Sequence, residues 1–188
     1  MKMSNYRINR NYAKALLMMA EERGQSDRVA ADMRLVSAVC GENRELGVVF
    51  ADPVGVTYVQ KDGIVKALFE GHVCDETLAF LRFVVRKSRS VHLRGISEAY
   101  LEQWREMRGI VLTELTTHQP ITDQARAKVK ELVAGYTGKE VELSDRTDAN
   151  MLGGFKLEFD HNMYDARIRT KIRKLRKEFA KNDYESKL

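Results

Sequence analysis

Residues 152–179 read LGGFKLEFDHNMYDARIRTKIRKLRKEF, and inside this stretch the hydrophobic period changes from that of a strand to that of a helix. Phe155, Leu157 and Phe159 alternate with Lys156, Glu158 and Asp160, the pattern of a half-buried strand. Asp160-His161-Asn162 is turn chemistry, because Asp and Asn tolerate unusual backbone angles. Past Asp165 the apolar residues Ile168, Ile172, Leu175 and Phe179 fall at spacings of four, three and four, which makes one stripe of a helix. Around them stand Arg167, Arg169, Lys171, Arg173, Lys174, Arg176 and Lys177, with no acid from 167 to 177. Gly153-Gly154 opens the stretch. Glycines, strand, turn and basic amphipathic helix in this order are more specific than any single motif in the chain, and they frame a hairpin for the helix to pack against.

Upstream the grammar is helical. A first helix is predicted over about 4–23. Ile8, Tyr12, Ala15, Leu16 and Met19 share one stripe, while Ala13, Leu17 and Ala20 lie to another side. Its apolar surface is therefore wider than one core contact requires, and Gly24 ends it. Further helices are predicted over about 26–41 and 58–69, the latter weakened by Gly63. Between them a short segment at 46–50 is closed by Asp52-Pro53. The helix predicted over 75–87 carries Leu78, Ala79, Phe80, Leu81, Phe83, Val84 and Val85 around nearly its whole circumference. Such a helix is either central in a bundle or offers a face to something else. A last long helix, at about 93–107, holds Ile96, Tyr100, Leu101 and Trp104. Short connections between these helices predict a compact all-helical bundle over 1–105.

From 106 onward strand signals appear. IVLTEL at 110–115 is rich in branched side chains. Thr122 is placed to cap a helix reaching about Tyr136, with Asp123 in its first turn, and Thr137-Gly138 breaks it. Val141 and Leu143 alternate with Glu140, Glu142 and Ser144 in a second strand. Strand, helix, strand, hairpin, helix is the order of a small α/β domain over 106–188. The expected class is thus α+β with two domains: a helical bundle, then a short sheet with a terminal helix.

Chemistry-bearing patterns are sparse. His72, His92, His118 and His161 stand far apart, and none is at metal-ligand spacing from another ligand type. Cys40 and Cys74 are too few for a disulfide framework or a zinc site. Gly153-Gly154 leads into a strand, whereas a phosphate cradle leads into a helix. No nucleophile elbow or Cys–His pattern is legible, so no catalytic, cofactor or metal residue is named. No apolar run approaches the ~20 residues that span a bilayer. The N-terminus is broken by charge and does not read as a signal peptide, so the chain is expected to work where it is made. With a net charge of +5 and pI ≈ 9.2, nucleic acid is a candidate partner. The basic run at 167–177 has three readings: a solvated face, phosphate binding, or docking to an acidic protein. It lacks interleaved aromatics for base stacking.

Several stretches together resemble the delta subunit of the F-type ATP synthase, counterpart of the mitochondrial oligomycin-sensitivity-conferring protein. Tyr12-Ala13-Lys14-Ala15-Leu16 looks like the family's YAxAL pattern. Phe80-Leu81, Val84-Val85, Arg89, Leu93, Ile96 and Tyr100 resemble its fifth-to-sixth-helix region. DANMLGG at 148–154 is similar to its D-x-x-L-x-G-G motif, and Asp165, Ile168 and Ile172 fit the hairpin's closing Asp and the helix after it. The chain departs in having Arg167 where the family usually has Ser, Thr170 where a small residue is common, and no trace of the family's usual Ser-Ala before Pro120.

The resemblance implies a six-helix N-terminal bundle, a smaller C-terminal α/β domain, and a non-catalytic stator role without cofactor, metal or nucleic acid. One copy would join the N-terminal helices of the alpha subunits to the C-terminus of the b-subunit stalk, peripheral to the inner, cytoplasmic face of a bacterial membrane. The surfaces expected to serve are Tyr12, Ala15, Leu16, Met19, Leu78, Leu81 and Val85 for the alpha-subunit helix, and Ile168, Ile172 and Leu175 for the stalk. Gly153, Gly154 and Asp165 are expected to be structural. The alternative from a different class is a nucleic-acid-binding module using the basic last helix.

Overall fold

The computed structural model describes residues 2–52, 55–160 and 162–180. The chain divides into two compact units, Met1–Met107 and Arg108–Leu188. Pro53, expected to close the third helical segment, and His161, expected in the hairpin turn, lie outside the described residues.

The first unit is helical: α1 (Lys2–Glu22), α2 (Ser26–Glu42), α3 (Arg44–Ala51), α4 (Tyr58–Phe69), α5 (Asp75–Arg86) and, after a 3-10 turn at Ser90–His92, α6 (Leu93–Arg108). Its core is built from Leu16, Met33, Phe69, Leu81, Ile96 and Tyr100, all fully buried. The short segment expected at 46–50 is an eight-residue helix. Its C-terminal carbonyls are satisfied from afar. Lys61 is buried and its ammonium donates to the Phe50 and Asp52 carbonyls, while Ser90 Oγ donates to Phe50 O at 2.8 Å. A cation at a helix C-terminus is favoured by the dipole as well as by the hydrogen bonds. Gly63 does not interrupt α4. Thr57 and Gln60 close a capping box at its start, which fixes the helix before the glycine is reached. At the start of α5 the buried Asp32 accepts from Cys74 N–H at 2.9 Å, so a carboxylate on α2 caps a helix 42 residues away. Gly95 on α6 lets α1 approach closely, because a Cβ there would run into the Asn9 amide.

The second unit is β1 (Ile110–Thr117), α7 (Asp123–Thr137), β2 (Glu140–Thr147), β3 (Phe155–Phe159), β4 (Asn162–Asp165) and α8 (Ile168–Ala180). The sheet order is β2-β1-β3-β4. β1 and β2 are parallel, joined through α7, while β1–β3 and β3–β4 are antiparallel. The expected strands are thus found, and β1 and β2 run further than their apolar residues suggested. Thr122 Oγ1 accepts from Ala125 N–H, as its position predicts, and Gly138 ends α7 in the left-handed region. One face of the sheet is covered: Leu115 and Leu157 pack with Val133 of α7, surrounded by Ile121, Val129, Val141, Leu143 and Phe159.

Candidate docking surfaces

In the first unit α1 and α5 leave an apolar groove of about 360 Å³ between them, lined by Asn11, Tyr12, Ala15, Leu16, Met19, Phe80 and Phe83. On the α1 side the structure brings together all four residues singled out from sequence. Tyr12, Ala15 and Met19 face outward, and Leu16, 1% exposed, is the floor. On the α5 side it does not. Leu81 and Val85 are each 1% exposed and belong to the core with Thr77 and Val84, and Leu78 is half-buried outside the groove. The α5 wall is Phe80 and Phe83 instead. Both rings stand 6.4 Å from the Tyr12 ring, centroid to centroid, Phe80 edge-on and Phe83 tilted. The missed residues had a signal: Glu76, Phe80 and Phe83 fall at spacings of four and three, one stripe of α5, and Lys87 continues the spacing just past its end.

Apart from Asn11 the groove's lining is apolar or aromatic, and two cations are held over its rings. Arg89 lies 5.4 Å from the Tyr12 centroid and Lys87 5.6 Å from that of Phe83. Burial pushes the Cys40 and Cys74 thiols up, so neither is poised as a nucleophile. Burial lowers His92, with Arg89 adding repulsion. Among the described residues no group of three or more His, Cys, Asp or Glu side chains is placed to hold a metal ion. No described helix is long and apolar enough to cross a membrane.

In the second unit the expected structural residues converge. Gly154 has φ +85°, and a Cβ there would collide with the Ala166 carbonyl and lie 2.9 Å from Arg167 Cα. Gly153, at φ +133°, would bring a Cβ within 2.9 Å of Ile168 Cδ1. Gly153 O accepts from Ile168 N–H at 3.1 Å, and Phe155 O accepts from Ala166 N–H at 2.9 Å. The glycine pair is therefore the surface against which the start of α8 is laid. Asp165 then holds that start. Its Oδ1 accepts from Arg167 N–H and Nε, and its Oδ2 from Arg167 Nη2 at 2.6 Å and Thr170 Oγ1 at 3.0 Å. The Arg167 guanidinium, with backbone and Thr170 donors behind it, holds the Asp165 carboxyl well below the usual carboxylate range. Arg167 and Thr170 thus meet on one carboxylate.

The apolar stripe of α8 is not packed on the hairpin. Ile168, Ile172, Leu175 and Phe179 are all exposed, Phe179 at 84%. The first turn of α8 meets the Gly153 backbone through Ile168 N–H, and from Lys171 to Phe179 every side chain of the helix is exposed. The basic residues from Arg169 to Lys177 have no ion-pair partner among the described residues, whereas Arg167 is taken by Asp165.

A family profile described as ATP synthase delta (OSCP) subunit matches residues 8–179. The ATP synthase subunit delta of Cytophaga hutchinsonii is 36% identical over 178 residues, covering 95% of this chain and 97% of that protein. That of Salinibacter ruber is 34% identical over 170 residues, covering 90% and 89%. A chain of the Toxoplasma gondii mitochondrial ATP synthase hexamer has the same fold, with a TM-score of 0.69, 19% identity, and coverage of 92% of this chain and 97% of that one.

Proposed function

Because the chain belongs to the ATP synthase delta (OSCP) subunit family, we propose that it is the non-catalytic stator linker of an F-type ATP synthase. The N-terminal unit, as a six-helix bundle, takes the N-terminal helix of an alpha subunit at the top of the catalytic head. The C-terminal unit takes the end of the b-subunit stalk. One copy serves the complex, peripheral to the inner face of a bacterial membrane. The linker matters because the turning shaft exerts torque on the head. A head without an external tether would turn with the shaft, and ATP synthesis would separate from proton flow.

The observation that carries this reading is one unpartnered surface at helical spacing in each unit: the α1–α5 groove and the α8 stripe. An amphipathic helix laid in the groove removes Tyr12, Met19, Phe80 and Phe83 from water at about 25 cal/mol per Å² of apolar area, less the cost of association. On the α8 side the docking residues are Ile168, Ile172 and Leu175, flanked by cations that suit an acidic stalk end. The basic run does not favour nucleic acid. Its first residue is committed to Asp165, and the remaining cations border an exposed apolar stripe that a phosphate backbone would leave wet.

The test is calorimetry on the full chain with a synthetic N-terminal peptide of the alpha subunit from the same organism, and separately with the C-terminal segment of its b subunit. Saturable binding of each is expected, the first abolished by Phe83→Asp and the second by Ile172→Asp. No detectable binding of either at high micromolar concentration would sink the reading.

A further inference from the structure

The α1–α5 groove is apolar along its length but unequal in charge at its two ends. Glu76, at the start of α5, is committed. Its carboxylate takes Arg23 Nη1 at 3.0 Å, and Arg23 follows the groove residue Met19 by four positions. At the opposite end Lys87 and Arg89 stack on Phe83 and Tyr12, two of the groove's own wall residues. Neither has a carboxylate partner among the described residues. A cation held against one ring face keeps its remaining N–H donors for an anion arriving from the other side.

Hydrophobic burial has no direction, so an apolar groove by itself accepts an amphipathic helix either way round. A fixed pair of unmatched cations at one end removes that degeneracy, since one orientation meets them with opposite charge and the other does not. We propose that the helix occupying this groove places a carboxylate side chain against Lys87 and Arg89, within one turn of its apolar anchors, and that this contact fixes which way round it lies. The proposal rests on the reading that the groove takes the alpha subunit's N-terminal helix, and it specifies the charge that helix carries and where. The chain's own α8, though amphipathic and exposed, is an unfit occupant. Its polar face is basic from Arg169 to Lys177 and would bring like charge to Lys87 and Arg89.

The experiment titrates the alpha-subunit N-terminal peptide onto the full chain at about 50 mM and about 500 mM salt, for wild type, Lys87→Glu, Arg89→Glu, Phe83→Ala and Lys14→Glu. Lys14 is exposed on α1 outside the groove and makes the same change in net charge. Circular dichroism checks that each variant is folded. Lys87→Glu is expected to raise Kd by roughly tenfold at low salt, with the loss shrinking at high salt, while Lys14→Glu stays within about twofold. Reversing one acidic position of the peptide to Lys should restore binding to Lys87→Glu, and the position that does so reads out the orientation. Equal weakening by Lys87→Glu and Lys14→Glu, or the lack of any restoring peptide position, overturns the proposal. Loss of binding in Phe83→Ala with Lys87→Glu and Arg89→Glu unaffected would leave the groove as the site and refute its charge selectivity. A peptide that fails to bind wild type overturns the groove reading and this inference with it.

Discussion

Asp165 serves four donors with two oxygens, and the physical chemistry of the C-terminal unit turns on whether that carboxyl is ionised. Its folded-state titration is lowered, so the ionised form contributes stability at every pH above the ordinary carboxylate value of about 3.9 and loses it as pH falls through the lowered one. Asp165→Ala is expected to cost about 1 kcal/mol at neutral pH, as loss of a helix-start cap does. Asp165→Asn should remove the extra acid sensitivity that wild type shows below about pH 4. Urea melts at neutral and acid pH check both. Arg167→Ser should raise the Asp165 titration toward the ordinary range, as followed by carboxyl-carbon NMR. A fixed Asp165 signal in that variant would show that the guanidinium is not the cause. Eleven residues upstream, Gly154→Ala puts a Cβ into the Ala166 carbonyl at a positive φ. A loss of about 2 kcal/mol or more is expected in the same melts.

Among the elements, α5 separates folding from binding most cleanly. Leu81 is a core residue and Leu81→Ala should cost about 2–4 kcal/mol of stability. Phe83 is 45% exposed, so Phe83→Ala should shift the melt little and instead weaken peptide binding. Had the two residues exchanged behaviour, the assignment of α5's faces would be wrong. Here lies the main limit on reading this site from sequence. An all-round apolar helix does not announce which side turns inward. The choice was made by three-dimensional neighbours: the compact Leu81, Val84 and Val85 fit the core, while the larger Phe80 and Phe83 stand against Tyr12. The α1 wall was legible because Tyr12, Ala15 and Met19 extend the apolar surface beyond what Ala13, Leu17 and Ala20 already supply to the core. The role of Arg167 was not, since a basic residue two positions past an Asp in a basic run gives no sign of which carboxylate it will meet. Helix spans and the hairpin were legible from period and turn chemistry, but the sheet order was not, because β1 pairs with strands that lie far along the chain. In α4, Gly63 has open space around its Cβ position, and Gly63→Ala should stabilise the first unit by about 0.5–1 kcal/mol.

At the scale of the whole molecule, each unit has a core of its own: one around Tyr100 and Phe69, the other around Leu115, Val133 and Leu157. Destabilising one should therefore leave the other's transition in place. Native-state hydrogen exchange on Leu81→Ala is expected to show accelerated exchange confined to Met1–Met107. For the connector proposed above this separation is useful, because strain entering at one surface need not unfold the other. Leu16 gives the first unit a further property. Its side chain is at once a core residue and the floor of the groove, so whatever lies in the groove also seals the core beneath it. An occupant at a hundredfold excess over its Kd raises the unfolding free energy by about 2.7 kcal/mol through mass action alone. With the groove filled on assembly, as proposed above, an unassembled copy would lack that increment and stand nearer its own melting point. Proteases that cleave transiently opened chains would then remove spare copies ahead of installed ones, with the empty groove acting as the mark of an orphan.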